Sequence, residues 1–163
     1  RVLPTGGWTN VIMLAYDVIT SRLLLKDTKI LLVLDKDIEK EVPSFLSSHS
    51  KYKHLKLDYL PISSLEKYLK ERLVNNIDQK FYSRMDNYVF QGRPLNNIIR
   101  DYMVNADWKN DIDGKTLYRM LIDELRKIRK SYPDLIDAVV KFLLENENER
   151  VDALAKYLEE NLK

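Results

Sequence analysis

With 163 residues, the chain is long enough for one α/β domain with a real core and a small appendage. Its 45% hydrophobic and 32% charged residues exclude a disordered chain, no apolar run approaches a membrane span, and nothing resembles a signal peptide. The net charge of +2 excludes a generally polyanion-coating surface, so any nucleic-acid contact has to be local. The absence of cysteine removes disulfides and thiolate metal sites and suits a cytoplasmic protein, and two histidines argue against a multi-histidine zinc site.

Val2-Leu3 reads as a strand end turned by Gly6-Gly7. Because Arg1 leads straight into it, the first strand of the sheet is expected upstream. A helix follows from about Asn10 to about Leu24, capped by Thr9 or Asn10. Lys29 to Leu34 is the next strand, and its run of five large aliphatics from Ile30 predicts burial on both faces. A short helix is expected within Asp37 to Ser47, with Pro43 in or before its first turn. Leu55 to Leu60 alternates as a strand, and Ile62-Ser63-Ser64 opens a helix to about Val74. This alternation argues a parallel sheet with helical crossovers.

Beyond Asn75 the pattern is helical. Helices are expected over Ile77–Val89, Leu95–Val104, Thr116–Ser131, Pro133–Leu144 and Arg150–Leu162, with a polar loop from Asp107 to Gly114. The fold class is therefore α/β, a small parallel sheet flanked by helices, followed by an all-helical region. The domain division is expected at 1–75 and 76–163.

Three stretches could carry chemistry. Asp35 and Asp37 end a strand at the edge where α/β sheets bind ligands, and strand alternation would point both one way with Lys36 turned aside. Such a pair suits a divalent metal, or equally an acidic first turn of a helix. Glu66 lies in the first turn of the helix after the next strand, near Asp35 and Asp37 if the strands are neighbours. Ser63-x-x-Glu66 is also a capping box. In Asp111-Ile112-Asp113-Gly114-Lys115, Gly114 lets backbone approach closely and Lys115 stands at a helix mouth, where it could neutralise a phosphoryl oxygen. The alternative there is a helix capped by Asp113 with Lys115 solvated.

Taken in order, Leu-Pro-x-Gly-Gly, the strand ending Leu-Asp-Lys-Asp, Leu-Pro before a helix carrying Leu-Glu-x-Tyr-Leu, and Gly-Lys-x-Leu resemble the TOPRIM domain of OLD-family nucleases. The Gabija nuclease subunit is a relative, and the resemblance covers about Val2 to Leu125. It implies a metal-dependent DNA nuclease using Mg2+ or Mn2+, working downstream of an ABC-type ATPase domain of the same polypeptide. It also implies that Asp35, Asp37 and Glu66 bind metal and that Lys115 stabilises charge on the phosphate. The family often has an acid where this chain has Ser64, and its first catalytic glutamate precedes the Gly-Gly segment, upstream of the residues here. The rival reading is a non-catalytic interaction or dimerisation module with a degenerate TOPRIM-like fold, in which the acids cap helices and the helical half docks a partner or a second copy.

Overall fold

The computed structural model describes residues 7–21, 28–91 and 94–162. The expected Val2-Leu3 strand end and the last turn of the first helix lie outside them. The contacts divide the chain into two compact units, Ser64–Glu149 and a unit made of Arg1–Ser63 with Arg150–Lys163. This differs from a division at 75/76: the boundary falls before the helix that carries Glu66, and the carboxyl-terminal helix returns to the first unit.

In the first unit, α1 (Trp8–Thr20) precedes β1 (Leu32–Leu34), α2 (Val42–Ser48) and β2 (Leu57–Tyr59), and α8 (Asn148–Leu162) closes the chain. The two strands pair in parallel, with Leu32 opposite Leu57 and Leu34 opposite Tyr59. The pairing is shorter than the sequence suggests, but its backbone contacts continue beyond the strands. Leu60 N–H donates to Leu34 O at 2.7 Å and Lys36 N–H to Ile62 O at 3.2 Å.

Burial along β1 alternates, with Leu32 and Leu34 buried and Val33 half-buried. This corrects the expectation of burial on both faces. Leu32 and Leu34 join Ile12, Ala15, Val42, Tyr52 and Leu55 in one core on one side of the pair, while Ile30, Leu31 and Val33 keep part of their surface. The short helix expected after β1 is present with Pro43 in its first turn, and a 3₁₀ turn precedes it. Pro43 lacks the amide that would continue a helix from the 3₁₀ turn Lys36–Ile38, so α2 starts afresh.

The second unit contains α3 (Leu65–Lys70), α4 (Gln79–Arg84), α5 (Leu95–Asn105), α6 (Lys115–Lys127) and α7 (Tyr132–Asn146). The first two continue as π-helical turns, Glu71–Asn75 and Met85–Val89. Among the described residues this unit has no strand, as its helical spacing of apolar residues requires. α6 packs against both α3 and α5, and α4 against α7. Leu69, Phe81, Leu95, Tyr102, Leu117, Leu121 and Leu135 are fully enclosed. Phe81 stacks edge-on with both Tyr68 and Phe142, at 5.6 and 5.0 Å between ring centroids. Arg72 lies over the Tyr68 and Phe142 rings and pairs with Asp78 at 2.6 Å and with Glu147. Asp78 in turn caps α4 by accepting from the amides of Lys80 and Phe81.

Candidate functional site

Asp35 follows the last residue of β1 and is exposed, its backbone extended at φ −63°, ψ 141°. The 3₁₀ turn begins at Lys36, so the two-residue alternation of a strand does not extend to Asp37. The expectation that the two acids point together because they continue a strand is thereby corrected. Asp37 is half-buried, with its Oδ1 shielded from solvent. Lys36 pairs with Glu39 at 2.9 Å, and its ammonium lies 5.8 Å from the centre of the Tyr59 ring.

Glu66 is the second residue of α3, whose N-cap is Ser64 rather than Ser63. The Ser63–Glu66 capping box is therefore out of register, and the Ser64 side chain makes no capping bond. What fixes this end of α3 is the mouth of α6. Gly114 has φ 71°, ψ 12° and is the N-cap of α6. A Cβ there would lie 2.4 Å from the carbonyl oxygen of Glu66 and 2.9 Å from Cβ of Lys70. Glycine is required twice over, by the left-handed backbone and by the close approach. The Gly-Lys segment is thus packed on the backbone of the Leu-Glu-x-Tyr-Leu segment.

Three further residues hold this junction: Lys70 and Tyr102, which no sequence motif marks, and Asp111, which the motif contains without a role of its own. Lys70 is only 5% exposed. Its ammonium donates to the carbonyls of Trp108 and Asp111, both at 2.7 Å. The Asp111 carboxylate accepts from the amides of Thr116 and Leu117 at 3.1 and 3.2 Å and from the Tyr102 hydroxyl at 2.8 Å. Asp111, not Asp113, therefore satisfies the free amides of α6. Asp113 instead faces Lys67 at 3.3 Å and Lys115 at 3.8 Å, in surface pairs of small energetic weight.

The electrostatics follow from this wiring. Burial pushes the Asp111 carboxyl up, but the Thr116 amide, the Tyr102 hydroxyl, the Leu117 amide and the Lys70 charge outweigh it. The net result is a pKa below the usual aspartate value. Burial first, then the bond to the Asp111 anion, raises the Tyr102 hydroxyl far above an ordinary tyrosine. Lys115 has a largely exposed side chain at the helix mouth, held there only by the surface pair with Asp113.

Asp35 and Asp37 belong to the first unit, and Glu66 and Lys115 to the second. Among the described residues, no group of three or more histidine, aspartate or glutamate side chains gathers closely enough to hold an ion. No helix in the described residues is long and apolar enough to cross a membrane. Comparison with protein-family models, with characterised proteins and with solved structures finds no match to the chain.

Proposed function

We propose that the chain is the TOPRIM part of an OLD-family-like nuclease, a divalent-metal-dependent enzyme that hydrolyses phosphodiester bonds in DNA. The observation that supports this reading is the order of the motifs along the strands and helices. Asp-x-Asp follows a strand that pairs in parallel with the next one, Glu66 opens the helix after that second strand, and Gly114-Lys115 packs on the backbone of Glu66. Carboxylates are hard oxygen donors, a donor set suited to Mg2+ or Mn2+. Asp35 and Asp37 would hold metal and Glu66 would hold or orient a second ion. When bound, such ions activate water and stabilise the leaving oxygen. Lys115, exposed and mounted on a fixed helix mouth, would face the charge that develops on the phosphate. Regulation by an ABC-type ATPase domain of the same polypeptide, action in phage defence and a cytoplasmic location belong to the same proposal.

The second reading is a non-catalytic interaction or dimerisation module. It is favoured by the lack, among the described residues, of a gathered acidic group. The two are separated by incubating supercoiled plasmid with the full-length natural protein and Mg2+ or Mn2+. The nuclease reading expects nicking that EDTA abolishes and that Asp35→Ala lowers at least a hundredfold. No nicking in either metal, or only a trace equal in the two proteins, would leave the module.

A further inference from the structure

The first unit has a cationic face at the end of its sheet away from Asp35. From Val42 to Leu57 there is no carboxylate, while Lys51, Lys53, Lys56, His49 and His54 fall within eight residues. All five are exposed. Lys56 sits immediately before β2, and its carbonyl accepts from the amide of Leu32 at 3.1 Å, so this segment marks the amino ends of both strands. There Lys29, His54 and Lys56 line one open cavity of about 350 Å³.

The face is built on a firm base. The Tyr52 ring is buried and packs against Tyr16 at 5.1 Å and Phe45 at 5.7 Å. Lys51 lies over this wall, its ammonium 4.7 Å from the Tyr52 ring and 5.3 Å from the Tyr16 ring. Lys56 is steadied by the Asn161 side chain at 3.0 Å. Among the described residues, Lys29, Lys51, Lys53 and Lys56 have no carboxylate within ion-pair distance. Asp17 on α1 is the acid whose charge reaches Lys51, and Glu160 lines the cavity near Lys56. Four exposed lysines with no ion-pair partner among the described residues, on a chain of nearly neutral net charge, offer a local surface for an anionic polymer.

We infer that the Lys51–Lys56 segment, with Lys29, is a contact surface for the phosphate backbone of duplex DNA. This deepens the nuclease reading and rests on it for the choice of DNA. The spacing agrees with that choice. Asp35 stands six positions after Lys29, a span of at most about 20 Å. That is roughly six base pairs of a duplex with a rise of about 3.4 Å, so one short duplex can lie along both ends of the sheet. Phosphate contacts of this kind position the duplex without reading its sequence.

The test is fluorescence anisotropy of a labelled 20-base-pair duplex with the full-length protein in EDTA, titrated between about 50 and 200 mM salt. Binding therefore does not depend on metal or cleavage. Removing three phosphate contacts in a Lys51→Gln/Lys53→Gln/Lys56→Gln protein should lower the slope of log affinity against log salt by about 2.7, and Lys53→Gln alone by about 0.9. At the low-salt end the triple variant should bind at least tenfold more weakly, with its melting temperature retained. If the triple variant loses its fold, the Lys53→Gln slope decides the matter. An unchanged affinity and slope would overturn the inference. So would lysine-dependent sedimentation with phosphatidylserine vesicles in place of duplex binding. Lysine-dependent duplex binding without any cleavage in Mg2+ would sink the nuclease reading and keep this surface.

Discussion

Replacing Gly114 with alanine tests the junction between the mouth of α6 and the start of α3. Two costs add. A left-handed backbone at φ 71° costs a non-glycine residue about 1–2 kcal/mol. The new methyl would stand 2.4 Å from the Glu66 carbonyl oxygen and 3.0 Å from its carbonyl carbon, atoms of a helix backbone that cannot swing aside as a side chain can. Forcing such an overlap costs about 1–3 kcal/mol more. The sum, roughly 2–5 kcal/mol, should lower the melting temperature by about 5–15 °C at this chain length. Gly7 supplies the control. It also has a positive φ, 22°, but nothing lies within 4 Å of its would-be Cβ, so Gly7→Ala carries only the conformational cost. Thermal melts followed by circular dichroism at 222 nm, with urea midpoints as a check, measure both variants. A Gly114→Ala protein that melts within about 3 °C of the natural protein would refute the close packing of Gly114 on Glu66.

Four further outcomes follow from the same wiring. Lys70→Met strips the ammonium from two carbonyls deep in the second unit and should cost about 2–4 kcal/mol in urea denaturation, the order expected for leaving buried acceptors unpaired. Asp111→Ala should cost about 1–2 kcal/mol as a lost cap, whereas Asp113→Ala should stay within about 0.5 kcal/mol, since its partners are at the surface. Because the native Asp111 pKa lies below its unfolded value, its contribution is present above about pH 4 and disappears as pH falls through the native value. Stability profiles from pH 6 to pH 2 should therefore fall less steeply for Asp111→Asn than for the natural protein. Lys115→Ala should leave the melting temperature unchanged, because the side chain is exposed, and on the proposed nuclease function it should lower single-turnover cleavage by about 10²–10³; unchanged cleavage would remove it from the proposed site.

The alternation of strand and helix up to residue 75, and the helical spacing beyond it, determined the element order without any tertiary information. A two-residue apolar period and a 3.6-residue one are local properties of the chain, and they locate β1, β2 and helices α5 to α8 to within a few residues. Gly114 was legible for the same reason, since a glycine before a helix mouth signals close backbone approach. Tertiary structure decided the rest. Strand length depends on how far a neighbour stays in register, and here the ladder is short. Whether Asp111 or Asp113 caps α6 depends on the turn between them, where Gly114 takes the left-handed conformation and brings the Asp111 carboxylate to the amides of Thr116 and Leu117. Lys70 looks like any lysine on a helix until the loop about forty residues on lays two carbonyls over it. The return of α8 to the first unit rests on contacts such as Lys56 with Asn161, 105 residues apart. A local pattern holds no record of such pairings, because the free energy that selects them arises only when the chain is compact.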